Sequence, residues 1–157
     1  MFLGKIVNLY LLSTQPAKLR MRYPLAHKLM SDVQVILAAN KAFYRAFEKK
    51  DIEAMGAVWS KGTASLCIHP GREITRGWEH IQQSWEQIFR ATQYLEIDLE
   101  IISVEMNADF AYVVLIEKVM QVVGRRHLQA ESMATNIFNQ MAGQWYLIHH
   151  HGSPIIR

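Results

Sequence analysis

The sequence predicts an α+β fold in a single domain, and three observations carry that prediction. Apolar residues recur at three- and four-residue steps through the first half of the chain. From residue 94 onward the period changes to two. The turn residues then fall between the two-period stretches, as in strands joined by short connections.

The chain's 157 residues suit one core, and half of them are hydrophobic. The single cysteine, Cys67, excludes an internal disulfide framework and a cysteine-rich zinc site. It stands between Leu66 and Ile68 and reads as a small buried apolar residue. The formal charge of +3 belongs to the N-terminal segment, where Lys5, Lys18, Arg20, Arg22 and Lys28 precede the first acid, Asp32. Residues 32–157 then hold 12 basic against 14 acidic residues, a balance of −2. With no basic stripe interleaved with aromatics, nucleic acid is not an expected partner.

Residues 1–30 read as a leader, poorly structured or partly helical, and 31–157 as the domain proper. The apolar run 6–12 is too short to span a bilayer, so no stable membrane insertion is expected. There is no clean small-x-small cleavage site, and Met21 and Met30 offer alternative starts. The expected location is cytoplasmic.

Ser31 followed by Gln34 has the spacing of a capping box. Ile36, Leu37, Asn40, Phe43, Tyr44 and Phe47 then form one helical stripe that ends at Lys49-Lys50. Asp51 can cap a short second helix carrying Ile52, Met55, Val58 and Trp59, which Gly62 breaks. Residues 64–69 read as a buried strand, and Pro70-Gly71 turns the chain, leaving His69 at a strand end. After Gly77, residues 78–91 make a third helix with the stripe Ile81, Trp85, Ile88 and Phe89. Trp59, Trp85 and Phe89 are expected in the core, with one edge on a pocket.

In the strand half, Leu95, Ile97, Leu99 and Ile101 alternate with Glu96, Asp98 and Glu100, one face buried and one solvated. Residues 107–109 turn, and 110–116 are apolar on both faces. Helices cover one side of so small a sheet, so the other side predicts a second subunit. Residues 125–140 form another strand, Ala142-Gly143 turns, and 143–154 close the sheet. Strict alternation there puts Trp145, Leu147, His149 and His151 on the cavity face, and Tyr146, Ile148 and His150 on the other.

The chemistry-bearing candidates follow from this placement. Glu117 lies in an apolar strand between the alternation partners Leu115 and Val119. A buried carboxyl there is raised in pKa and suited to acid/base work. His149 and His151 have the spacing of a chelating pair, and a metal would need His69 or Glu117 as a third ligand. The reading taken is hydrogen bonding or proton transfer, with no metal and no cofactor. Tyr44 can act as a hydrogen-bond donor beside them.

Three stretches, NKAFYRAFEKKDIEAMGAVWS, SLCIHPGREITRGWEHIQQSWEQIF and ATNIFNQMAGQWYLIHHHGSP, resemble the NTF2-like superfamily in its SnoaL-like, ketosteroid isomerase-like branch. The likeness covers residues 32–154, and its closing pattern is Trp145, His149, His151 and Ser153. It implies a cone, a curved antiparallel sheet wrapped around three N-terminal helices, and a homodimer through the outer sheet face. The association domain of calcium/calmodulin-dependent protein kinase II is a relative that places arginines on two central strands; the matching positions here are Glu117 and Asn136. The resemblance turns Asn136, rather than Thr135, toward the cavity. In such a pocket, polar side chains set among apolar walls give the expectation that Tyr44, Trp59, His69, Trp85, Phe89 and Asn136 hold a small apolar molecule and that Glu117, His149 and His151 move a proton in isomerase, cyclase or dehydratase chemistry. The alternative it leaves open is a non-catalytic association module, because one cone hosts many functions.

Overall fold

The computed structural model describes the backbone of residues 23–156 and the side chains from Asp32 to Ile156. The leader expected over 1–30 lies outside the described residues as far as residue 22. From there α1 (Tyr23–Lys49) is continuous through Ser31, so the helix does not start at the expected capping box.

The stripe on α1 is as spaced. Ile36, Asn40, Phe43 and Tyr44 are buried, and Leu37 and Phe47 pack against the same core. Lys50 leaves the helix at φ +54, and its ammonium donates to the carbonyls of Thr92 and Gln93 at 2.8 and 3.1 Å. Asp51 caps α2 (Ile52–Val58) by accepting from Ala54 N at 2.9 Å. The third helix, α3 (Trp78–Ala91), buries Ile81 and Trp85.

Six strands form one sheet: β1 (Leu66–Ile68), β2 (Thr75–Arg76), β3 (Tyr94–Asn107), β4 (Phe110–Val123), β5 (Arg126–Met141) and β6 (Gln144–Pro154). Their order is β2-β1-β6-β5-β4-β3, antiparallel except where β1 runs parallel to β6. Two register shifts, at Ile101/Ser103 in β3 and at Ile137/Phe138 of β5 against β6, bend and twist the long strands. The curved, unclosed sheet holds the helices on its concave side. Between the layers Phe43 lies edge-on to Tyr44, Trp59 and Trp85, with ring centroids 4.8, 6.2 and 5.7 Å away. Trp59, Trp85, Phe138 and Leu147 are fully buried, each side chain stabilising the fold by about 1.5–3 kcal/mol. No helix among the described residues is long and apolar enough to cross a membrane.

Candidate functional site

The site is set by a parity change in β6. Phe138 pairs with Leu147 but Ile137 pairs with His149, which leaves Ile148 as an extra residue without a cross-strand partner. An extra residue in a strand of period two flips every side chain beyond it. Leu147 therefore points into the cone, and so do His150 and Gly152, both buried. This corrects the expectation for the histidines. His149 and His151 pair with Ile137 and Thr135 on the outer face, with ring centroids 6.3 Å apart, whereas His150 is only 2 % exposed. The chelating set with His69 or Glu117 cannot assemble, because those residues lie within the core side of the sheet. Among the described residues no cluster of three or more His, Cys, Asp or Glu is arranged to hold a metal ion.

Inside, the structure brings Tyr44, Glu117 and Asn136 together with Asn40 and His150. Tyr44 Oη donates to Glu117 Oε1 at 2.5 Å. Asn136 Nδ2 donates to Asn40 Oδ1 at 2.7 Å and to Tyr44 Oη at 3.1 Å. His150 Nδ1 lies 2.6 Å from Asn136 Oδ1, and its Nε2 lies 3.9 Å from Glu117 Oε1. The elements fix this: Asn40 and Tyr44 are one helical turn apart on α1, and Asn136 and His150 are register partners on β5 and β6. Asn40 was legible as the one polar member of the α1 stripe; His150 was hidden by the bulge.

Burial governs the electrostatics. It raises the Glu117 carboxyl to about 7, against the opposing pull of the Tyr44 hydrogen bond. It lowers His150 to about 3, helped by repulsion from His69, His149 and His151. The Glu117–His150 contact is therefore not an ion pair at neutral pH. The imidazole is neutral, and the carboxyl is poised between its two states. Tyr44 is held well above the usual phenol range by burial and then by Glu117.

His69 forms a neighbouring cluster. Its Nε2 lies 3.0 Å from Ser84 Oγ and 3.7 Å from Cys67 Sγ, and its ring stands edge-on to Trp85 at 4.6 Å. Burial, then the charge of Arg72, takes His69 down to about 4, and burial pushes the Cys67 thiol up. Trp59 and Trp85 are core residues with no exposed edge, and Phe89 is half-buried against Trp85 and Phe47. The indole Nε1 atoms of Trp59 and Trp85 are buried without an acceptor among the described residues. The Phe43, Trp59, Trp85 and His150 rings pack against one another where these side chains meet. Two surface hollows, of about 330 Å3 beside Asp98, Lys118 and Glu131 and about 840 Å3 beside Lys61, Arg76 and Trp78, contain none of the predicted site residues.

Glu117 Oε2 is left toward β6. A Cβ built on Gly152 would lie 3.6 Å from it and 2.9 Å from Pro70 Cγ. The inward face of β6 thus lacks a side chain beside the carboxyl, and the Pro70 ring caps that gap.

Comparison with known proteins agrees with this architecture. The SnoaL-like domain family matches residues 36–157. A protein of the NTF2-like family from Streptomyces avermitilis, named as a candidate dehydratase, is 28% identical, with a TM-score of 0.75 over 81% of this chain and 98% of its own. A candidate association domain of calcium/calmodulin-dependent protein kinase type II from Thiobacillus denitrificans is 27% identical, with a TM-score of 0.69 over 76% of this chain and 94% of its own. The F-box protein SKIP8 of Arabidopsis thaliana is 25% identical over 123 residues, 78% of this chain, which spans 51% of that relative's length. The chain belongs to the SnoaL-like family and has the NTF2-like cone fold.

Proposed function

We propose that this domain takes a small, neutral, largely apolar molecule at Glu117 and moves a proton on it, in chemistry of the isomerase, cyclase or dehydratase type. One observation carries the reading: a carboxyl buried to 3 % exposure, raised to about 7, with one oxygen fixed by Tyr44 and an imidazole 3.9 Å away. His150, and not His149 or His151, is the neutral imidazole beside Glu117. On a carbonyl compound with a carbon–carbon double bond one carbon away, ionised Glu117 takes a proton from the carbon between the two groups, and the electron pair passes into a dienolate. The protonated Glu117 then returns that proton to the far carbon of the former double bond, so the double bond moves into conjugation with the carbonyl and every atom is kept. The inward groups named above carry no fixed positive charge, which favours a neutral ligand over an anion. The likeness to a candidate dehydratase supports the same class. Native mass spectrometry of freshly purified protein tests for a retained small molecule. Glu117→Gln should then abolish turnover of that molecule; unchanged turnover removes the carboxyl from the reaction.

A second reading, a non-catalytic association module, is favoured by Ile102, Phe110 and Met133, exposed at 50%, 41% and 39% on the sheet. The likeness to a candidate kinase association domain agrees with it. It makes the outer sheet face a homodimer contact and leaves the buried network structural. A catalytically silent protein that holds a constant oligomer mass on dilution, by light scattering, supports it; a monomer at micromolar concentration refutes it.

A further inference from the structure

We propose that Asn136 is the positioning residue of the buried site: its one amide fixes the protons of Tyr44 and His150 and leaves His150 Nε2 and Glu117 Oε2 as the atoms open to a ligand. The ligand in that statement rests on the acid/base reading; the proton arrangement stands on the hydrogen bonds alone.

Asn136 is fully buried, and both ends of its amide are committed. Its two N–H groups go to Asn40 Oδ1 at 2.7 Å and Tyr44 Oη at 3.1 Å. A hydroxyl oxygen that accepts from an amide still has its own hydrogen to give, and Glu117 Oε1 receives it at 2.5 Å. The amide oxygen faces His150 Nδ1 at 2.6 Å. A carbonyl oxygen only accepts, so Nδ1 bears the imidazole hydrogen and Nε2 keeps its lone pair. At 3.9 Å from Glu117 Oε1 that lone pair is beyond hydrogen-bond range and stays uncommitted. Glu117 Oε1 is already an acceptor, so the carboxyl proton, when present, sits on Oε2. That atom lies beside Gly152, where β6 has no side chain. One amide therefore presents an acceptor and a donor side by side. The reverse amide orientation would face Tyr44 with two acceptors for one hydrogen and would move the imidazole hydrogen to Nε2.

Long-range proton–nitrogen NMR on the full chain, labelled with nitrogen-15, reads the tautomer directly and needs no ligand. The expected spectrum shows a protonated Nδ1 and a bare Nε2 for His150, unchanged between about pH 5 and 8. In Asn136→Asp the new carboxylate draws a second proton onto the ring, and His150 becomes an imidazolium over the same range. In Asn136→Leu the two tautomers mix. A wild-type His150 protonated on Nε2, or a tautomer unmoved by Asn136→Leu, overturns the proposal. If the variants do not fold, the wild-type spectrum decides alone. A correct tautomer in a protein that retains and turns over nothing would sink the acid/base reading and leave this assignment standing.

Discussion

Tyr44 and Glu117, 73 residues apart in sequence, meet at 2.5 Å where α1 crosses β4. The hydroxyl supplies the only hydrogen bond recorded to that carboxyl among the described residues, and burial is what it opposes. Helix and sheet are joined through a polar contact inside an apolar core, where an unmatched partner is costly.

Tyr44→Phe removes the donor to Glu117 and the acceptor of Asn136 Nδ2 together. The fold should lose about 2 kcal/mol in urea denaturation. Because the Tyr44 bond favours the ionised carboxyl, its loss should move Glu117 above about 7, read by carbon-13 NMR of the side-chain carboxyl. A Glu117 that titrates lower in the variant would contradict this account of its environment.

The pH dependence of stability follows from three buried groups. Glu117 has a folded value of about 7 against an ordinary 4.5, so the folded state holds its proton more tightly. Its contribution is full below about 4.5 and is lost as pH rises through about 7, about 3 kcal/mol in all. His150 and His69, lowered from 6.5 to about 3 and about 4, work the other way. Their contribution is present above 6.5 and is lost as pH falls through those folded values. Stability should therefore peak near neutrality, with two histidines outweighing one carboxyl on the acid side. Glu117→Gln should steepen the rise in stability between about pH 4.5 and 6.5 and remove the small decline from there to about 7. Denaturant midpoints from about pH 5 to about pH 8.5 check both limbs.

Much of this arrangement was legible in the chain and part of it was not, for reasons that separate cleanly. Glu117 stood out because a carboxyl in an apolar strand has to be explained by its partners. The α1 stripe named Tyr44 and Asn40 through a local, regular period. The third helix came out at its predicted bounds, since Gly77 and the change of period mark its ends. The face of the C-terminal histidines did not, because alternation is only as good as the assumption of an unbroken ladder. The extra residue at Ile148 is defined by how β5 and β6 pair, and nothing in the local sequence marks it. The start of α1 was misread because a plausible cap at Ser31 lies inside a longer helix. How the Trp59, Trp85 and Phe43 rings pack edge to face is likewise not encoded by spacing.

Gly152→Ala tests the cap over the carboxyl. The added methyl would lie 2.9 Å from Pro70 Cγ and 3.0 Å from Pro70 Cδ, on a ring that cannot rotate away. The strain should cost about 1–3 kcal/mol in thermal or urea denaturation. Pro70→Ala combined with Gly152→Ala should recover most of that loss, because the pair is in contact and will not behave additively. Strict additivity of the two changes would mean that Pro70 does not press on the strand beside Glu117.

The outer face gives the last test, and it separates association from the buried chemistry. Met133 is 39% exposed on β5, and its chain neighbours Ser132 and Ala134 are turned inward and buried. Around it Tyr112, Val114, Ile116 and Ile137 present half-buried apolar surface on the same side. If two copies meet here, Met133→Glu places a charge where water is excluded, at a cost of several kcal/mol per dimer. Light scattering should then report a monomer where the wild type is a dimer, while Glu117 on the opposite side of the sheet keeps its titration. His149→Ala with His151→Ala should likewise leave the Glu117 titration in place, because both rings are on the outer face; His150→Ala should shift it. A Met133→Glu variant with the wild-type dimer mass would remove this face as the contact. A shift of Glu117 on changing His149 and His151 would undo the parity of β6, on which the whole site depends.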